Sequence, residues 1–560
     1  MIDGDGVGPL AHNRAVLVAI VATEGGGARL RSLPEDGAAA GPVEAVDDLV
    51  GAVAAREKAD APRWLWASTA ALYPRLLQAG MRVARCHDLE LTEALLLGHE
   101  GRWGEPRGLP AVWARLRGLP VPPDPPAPGA SPPGRGQGTL FDDLPPPSAG
   151  AGFDPLEATI HGYGDQLARV SATEHAGRFR LLVAAESAGG LIAAEMGHDG
   201  LPWRADAHDE VLRDLLGALA PGGGQPDRLV ELRAQISAAF GGARVSPESP
   251  ADLLRAFSRE GIVLPSTRAW VLRGVDHPAV PLIIEFKELH RIWTAHGWAW
   301  RAQWVRDGRF HPEYVPGGVV SGRWATRGGG ALQIPKVVRR AVVADDGWVF
   351  VVADAGQLEP RVLAAVAGDA GLAAAGATGD LYAALAAEAF GGHRDQAKIA
   401  LLGAMYGQTG GNAVPALAAL QARFPTAWEY VERAARTGEA GGLVRSWLGR
   451  TCPPAGAERP SAEHARARGR FTRNFVIQAT AAEWALTLLA GLRGRLASSA
   501  GRLVFFQHDE VVIHCPIAAS DDAVAAVRAA AEQAGRLLFG DSPVRFPLDV
   551  SVVRCYADAA

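Results

Sequence analysis

The period of the apolar positions changes several times along this 560-residue chain, and each change marks an element. The first apolar run, Ala15–Ala22, is short and continuous, which predicts a buried strand. Phe179–Met196 carries its apolar residues at helical spacing, and helical patterns continue to about Trp300. At Val349 the pattern becomes Val-Phe-Val-Val-Ala, a second buried strand, followed by a helical stretch from about Gln357 to Val366. A strand-to-helix turn is therefore expected around Asp354. Pro360 falls in the first turn of that helix, where a missing N–H matters little. Near the end, Leu503–Gln507 and Val511–Cys515 are β-rich runs flanking His508, Asp509 and Glu510, a pattern that predicts a hairpin with a polar tip. Between these strands, Arg394, Lys398, Leu402 and Tyr406 recur every four positions. On a helix they share one face, drifting about 40° per step.

The segment Leu119–Pro155 has a different texture. It contains Val-Pro-Pro-Asp-Pro-Pro-Ala-Pro and Leu-Pro-Pro-Pro-Ser, which can form neither helix nor central strand and read as a linker. Residues 1–118 then form a small N-terminal domain. A prior of roughly 150 residues per domain suggests three or four units in all.

Composition narrows the class. Hydrophobic residues make up 48% and charged residues 21%, an ordinary globular balance. No apolar run approaches the roughly 20 residues that cross a bilayer, and Ala15–Ala22 lies too deep behind acidic residues to be a signal peptide, so a cytoplasmic protein with no membrane partner is expected. The four cysteines, Cys86, Cys452, Cys515 and Cys555, show no CxxC spacing and argue against both a zinc site and a disulfide framework. A net charge of −5 argues against nucleic-acid binding by overall attraction and leaves it to local patches. One such patch exists: Arg436–Arg473 holds eight arginines against Glu439, Glu458 and Glu463, although a solvated loop has the same composition. Lysine is rare, at only Lys58, Lys287, Lys336 and Lys398.

An aspartate at a strand end, Asp354, and another at a hairpin tip, Asp509, can each direct a carboxylate oxygen toward Mg²⁺. Each alone reads equally well as a cap or turn residue. The face Arg394, Lys398, Leu402, Tyr406 adds a third feature. It runs from two cations through an apolar side chain to an aromatic ring over about 18 Å. Cations at one end suit a triphosphate, while the leucine and tyrosine suit a sugar and a base pair. An amphipathic helix with snorkelling cations is the plainer alternative.

Asp354–Arg361 (Asp-Ala-Gly-Gln-Leu-Glu-Pro-Arg), Arg394–Gly407 and His508–Glu510 together resemble the three catalytic motifs of family A DNA polymerases, in order and approximate spacing. Ser321–Trp324 followed by Leu332–Pro335, and Arg470–Ala482, add two further matches, so the resemblance covers the chain from about Leu181 to its end. It implies an α/β multi-domain protein. A right-hand polymerase, with an antiparallel palm sheet and helical fingers and thumb, would be joined to a small α/β exonuclease-like N-terminal domain. The implied boundaries are 1–118 for the degenerate 3′→5′ exonuclease-like domain, 119–155 for the linker, and 156–317 for the thumb and helical connection. The palm would take 318–360 and 477–560, with the fingers at 361–476.

Residue by residue, the resemblance implies that Asp354, Asp509 and the backbone carbonyl of Ala355 bind two Mg²⁺ ions, with Mn²⁺ an acceptable substitute. Arg394 and Lys398 would hold the dNTP triphosphate, with Lys398 also placed to protonate the leaving group. Tyr406 would stack near the templating position, Glu359 would be the steric gate against a ribose 2′-hydroxyl, and Gln357, Leu402 and His508 would complete the nucleotide site. Arg323, Arg470, Asn474 and Gln478 would read the duplex minor groove, and Glu510 and His508 would support the metal centre and primer end. The family's tyrosine and serine after the first aspartate are Ala355 and Gly356 here, its asparagine after Leu-Gln is absent, and Leu402 stands where an aromatic is usual. The last departure bears on sugar discrimination.

In the N-terminal domain, the exonuclease resemblance is faint. The first acidic pair would fall on Ala22 and Glu24, a second position on Pro74, and the last near Glu174 or His175, leaving too few carboxylates for two ions. A vestigial domain without proofreading is expected. Within the linker, Gln137, Leu140 and Phe141 resemble the short peptide by which bacterial polymerases dock on the sliding clamp. The expected protein is thus a monomeric, nucleoid-associated DNA polymerase in repair or gap filling, with primer–template DNA, dNTPs and the clamp as partners. The alternatives are a single-subunit RNA polymerase, which Glu359 opposes, and a non-catalytic scaffold, which the intact carboxylates oppose.

Overall fold

The computed structural model describes residues 17–34, 41–125, 152–218, 224–407, 413–456 and 461–559. The N-terminal unit is a five-stranded sheet of order β3-β2-β1-β4-β5, built from β1 (Leu17–Ala22), β2 (Ala28–Leu33), β3 (Glu44–Val46), β4 (Arg63–Trp66) and β5 (Arg85–Asp88). β1 runs antiparallel to β2 and parallel to β4, so its far end opens at the edge of a mixed sheet. Both faces of β1 are buried, which explains its continuous apolar sequence. The helices of this unit are α1 (Leu49–Ala59), α2 (Thr69–Gln78), α3 (Leu89–His99) and α4 (Leu109–Arg117).

After the proline-rich stretch the chain returns to this same sheet. α5 (Pro155–Ser171) buries Leu156, Ile160 and Tyr163 against Leu17, Ala19, Leu65 and Leu89. Its start is tied to β2 by Arg29 to Asp154 at 2.9 Å and Arg31 to Glu157 at 3.0 Å. Gln166 closes the contact, bonding the His87 ring at 3.0 Å and the Leu89 carbonyl at 3.0 Å. The boundaries implied by the resemblance group this helix with the thumb and connection, but it packs on the N-terminal sheet.

α6 (Ala176–Asp199) is a wall shared by two cores. Leu191 packs with Trp66, Tyr73 and Leu76 of the N-terminal unit, while Ile192, Ala193 and Met196 belong to the main core of the chain. Glu195, on the same helix, accepts from the Tyr73 hydroxyl at 2.5 Å and pairs with Arg493 at 2.7 Å. Arg493 also donates to the carbonyls of Val83 and Ala84.

Beyond α6, short strands β6 (Leu201–Pro202), β7 (Val305–Arg306) and β8 (Arg309–Phe310) form a ribbon at the base of a helical unit. That unit comprises α7 (Ala205–Leu216), α8 (Asp227–Ala239), α9 (Pro250–Arg259), α10 (Ala269–Leu272), α11 (Ala279–His296) and α12 (Trp298–Trp304), with its own core around Leu229, Leu232, Phe257 and Phe286. The hairpin β9 (Tyr314–Val315) and β10 (Ala325–Thr326) leads into the central sheet.

The central sheet is antiparallel throughout, of order β12-β13-β11-β14, with β11 at Trp348–Ala355, β12 at Arg502–Gln507, β13 at Glu510–Pro516 and β14 at Leu548–Val553. α13 (Leu358–Val366) follows β11 directly. A helical lobe then runs through α14 (Ala370–Gly376), α15 (Leu381–Ala389), α16 (Arg394–Tyr406), α17 (Ala413–Arg423) and α18 (Pro425–Glu439). α19 (Ala462–Leu496) crosses the molecule, and α20 (Ser520–Phe539) packs beside it. α19 has an 18-residue window of mean hydropathy 1.4, but 78% of that window is buried inside the fold, as a core helix requires.

Candidate active site

The end of β11 and the β12–β13 turn meet at one edge of the central sheet. Asp354 pairs in register with Glu510 on one side and Asp549 on the other, and the Ala355 N–H donates to the Asp509 carbonyl at 3.2 Å. The two aspartates expected from the sequence therefore share a corner. Gln357 and His508 both have left-handed backbone, φ +60° each, among four such non-glycine residues described. Strain of this kind concentrates where a side chain must be aimed.

Electrostatics favour a cation here. Partial burial raises the Asp354 carboxyl above its usual range, and the charge of Asp549 adds to this. Asp509 is pushed up to about 6 by burial and then by the charge of Asp354. Among the described residues no group of three or more acidic, histidine or cysteine side chains forms a self-sufficient metal cage. Two carboxylates suit a hard cation that completes its shell with carbonyl, water and substrate oxygens.

α16 presents the expected face. Ala397, Ala400, Leu401, Ala404 and Met405 are buried on one side, leaving Arg394 and Lys398 exposed and Leu402 and Tyr406 half-buried on the other. Arg394 is held by Asp380, Nε to Oδ2, at 2.9 Å. Lys398 has no ion pair or hydrogen bond among the described residues. Tyr406 donates its hydroxyl to Glu359, and Arg323 pairs with the other oxygen of that carboxylate. Glu359, Arg323 and Tyr406 thus form one linked group.

Two expected residues are otherwise engaged. Gln357 donates to Asp380 at 2.9 Å and accepts from the Leu381 N–H at 2.9 Å, so its amide holds a loop rather than standing open to a nucleotide. Glu510 pairs with Arg339 at 3.5 Å and accepts from the Tyr556 hydroxyl, with Arg339 lying over the Tyr556 ring. Asp380, Arg339 and Tyr556 were not singled out from the sequence. Asp380 carried a signal, since it is a helix-capping aspartate preceding a Leu-Tyr helix start.

Arg470, Asn474 and Gln478 follow one another at helical spacing along the open face of α19, near the C-terminal end of α16, where Gly407 lies against Arg470. The Asn474 Oδ1 is shielded without a hydrogen-bond partner. Arg323 and His508 line a common small cavity with Ala482 and Ala485 of α19.

A sequence model of DNA polymerase family A matches residues 226–556, more than half of the chain. The chain belongs to DNA polymerase family A. The chain is 29% identical to the thermostable DNA polymerase I of Thermus filiformis over 310 residues, which cover 50% of this chain and 36% of that protein. Over 244 residues it is 31% identical to DNA polymerase I of Chloroflexus aurantiacus, covering 38% of this chain and 25% of that one. It therefore spans well under half the length of these relatives. Among solved structures, the POL domain of Pol1 from M. smegmatis, in complex with DNA primer-template and dNTP, superposes with a TM-score of 0.69 at 18% identity, covering 97% of this chain and 96% of that one. The fold is accordingly the right-hand polymerase.

In this family A polymerase, the pocket at the far end of β1 is lined by Thr23, Glu24, Ser68, Ala71, Arg75 and Pro155. Glu24 is the only acidic residue among its lining side chains. Pro74 does not line it, and Glu174 and His175 follow the opposite end of α5. Gln137, Leu140 and Phe141 lie outside the described residues.

Proposed function

We propose that the protein is a template-directed DNA polymerase that adds dNTPs to a primer 3′ end. The observation that carries this reading is the shared corner of Asp354 and Asp509, with the cationic side of α16 presented by the fingers. The carboxylates and the Ala355 carbonyl would hold two Mg²⁺ ions, for which Mn²⁺ could substitute. When bound, these ions lower the pKa of the primer hydroxyl and neutralise charge on the leaving pyrophosphate. Arg394 and Lys398 bind the triphosphate, and Lys398 supplies a proton to the leaving group. Tyr406 and Leu402 bound the sugar and base, while Arg323, Arg470, Asn474 and Gln478 contact the duplex through acceptors common to all correct pairs. His508 lies beside Arg323 at the primer end, and Glu510 braces the corner through Arg339 and Tyr556. Extension of a primed template by the full chain with Mg²⁺ and dNTPs tests this; no extension would sink it.

Glu359 decides between deoxyribonucleotide and ribonucleotide chemistry. Its carboxylate is fixed by Arg323 and Tyr406, and a carboxylate so held suits a gate against a 2′-hydroxyl. Glu359→Ala is expected to reduce the preference for dNTP over rNTP by roughly one to two orders of magnitude, the size of losing a steric and hydrogen-bonded rejection. Parallel single-nucleotide insertion of dCTP and CTP measures it, and an unchanged ratio would remove Glu359 from that role.

The N-terminal unit is read as lacking proofreading, because one carboxylate cannot hold two ions. The purified protein is expected to leave a 3′-mismatched primer undigested. Mismatch removal that disappears in Glu24→Ala would overturn this. Within the proline-rich segment, Gln137, Leu140 and Phe141 are proposed to dock on a bacterial sliding clamp. A 133–145 peptide is expected to bind clamp and to lose binding on Leu140→Ala with Phe141→Ala, whereas unaffected binding would refute the motif. Gap filling in DNA repair by a cytoplasmic, nucleoid-associated monomer is the role these features suit.

A further inference from the structure

One carboxylate outside the expected motifs bonds to both the palm and the fingers. Asp380 caps α15, its Oδ1 accepting from the Ala383 N–H at 3.1 Å and from Gln357 Nε2 at 2.9 Å, while Oδ2 accepts from Arg394 Nε at 2.9 Å. We propose that Asp380 is a positioning residue for the incoming nucleotide, fixing Arg394 through Nε so that both terminal guanidinium nitrogens are left for the triphosphate. This rests on the polymerase reading above.

Three observations support it. First, neither terminal nitrogen of Arg394 has a partner among the described residues, whereas Nε is taken. A phosphate needs the planar pair of donors that Nη1 and Nη2 provide. Second, the guanidinium carbon lies 5.5 Å from the centre of the Tyr382 ring, so the arginine is held from a second side. An exposed arginine at a helix start otherwise samples many rotamers, and restricting them before binding strengthens binding.

Third, Asp380 is also tied to segments outside α16. The segment Gly376–Leu381 is fastened by Arg361, which is wholly buried and makes no carboxylate ion pair among the described residues. Its guanidinium donates instead to the carbonyls of Gly376 at 2.9 Å, Thr378 at 3.1 Å, Gly379 at 2.6 Å and Arg545 at 2.9 Å. Leu381 and Asp380 then bond to Gln357, three residues beyond Asp354. A short hydrogen-bonded chain therefore runs from the carboxylate strand to the phosphate-binding cation. Asp380 stays ionised across the working range: despite partial burial, the bonds from Arg394 and Gln357 hold it down at about 2.

A carboxylate near a triphosphate also repels it, so the two effects predict opposite signs. Asp380→Asn separates them. The asparagine oxygen still caps α15 and accepts from Gln357, but its NH₂ cannot accept from Arg394. In steady-state single-nucleotide extension by the full chain, the KM for dNTP is expected to rise about tenfold, the effect of one charge-assisted hydrogen bond, with kcat within about threefold of the parent. In an Arg394→Ala background the same substitution should leave KM unchanged. The thermal midpoint of Asp380→Asn should match the parent, because the cap is retained. An unchanged or lowered KM in the single variant would overturn the proposal, as would an equal rise without Arg394 or a lowered midpoint accompanying the rise. A parent that does not extend primers would instead refute the polymerase reading, which separates the two failures.

Discussion

Asp509→Asn is expected to lower primer extension by at least about a thousandfold while leaving a folded, more stable protein. The loss follows from removing one of the two carboxylates that would hold the ions, since no neighbouring side chain replaces it. Glu510, the adjacent acid, is committed to Arg339 and Tyr556. The gain in stability follows from linkage. Asp509 has its carboxyl raised from 3.8 to about 6 by burial and the charge of Asp354. A raised acid favours the protonated form in the folded state, so without metal the parent loses stability as pH climbs from about 4 through 6. The asparagine carries no such penalty. Its thermal midpoint without metal should exceed the parent's by a few degrees at pH 7.5, and the difference should vanish below about pH 4. Adding Mg²⁺ should raise the midpoint of the parent more than that of the variant. Calorimetry with and without Mg²⁺, alongside extension assays, checks both halves; parental activity in Asp509→Asn would remove it from the metal site.

Lys398→Ala is expected to reduce kcat by roughly a hundredfold or more, the usual contribution of a positioned general acid. Lys398 lies one turn beyond Arg394 on the open face of α16, exposed and without a carboxylate partner among the described residues. Arg394 is fixed at the helix start by Asp380 and Tyr382, whereas Lys398 remains a movable point charge. The arginine is suited to binding, and the lysine to following charge as it develops on pyrophosphate. Pre-steady-state insertion should therefore show a slowed chemical step with dNTP binding weakened less. A pure binding defect would reassign the lysine.

Much of this site could be read from local sequence because its parts are local. The strand bearing Asp354, the hairpin bearing Asp509 and the face of α16 are each written in a stretch of at most 15 residues, where hydrophobic period suffices. Asp380 was hidden because, in the sequence, it is only a capping aspartate, and its bonds to Gln357 and Arg394 exist only after the palm and fingers fold together. Tyr556 and Arg339 were hidden for the same reason, meeting Glu510 from distant segments. The partners of α5, Leu17, Leu65 and Leu89, lie far earlier in the chain, on the other side of the proline-rich stretch, where no local pattern points to them.

The double role of α6 bears on what the N-terminal unit can lose. Changes at Ala71 or Glu24 alter only the lining of an open pocket, so its chemistry can lapse at little expense to folding. Trimming away the sheet and α2 would instead strip the cover from Leu191 and separate Glu195 from Tyr73. Variation is therefore expected to be tolerated around the pocket and resisted along the α6 seam, and shortened versions lacking the first 118 residues should be sticky rather than merely slower. A domain can thus persist for the sake of the neighbour built against it.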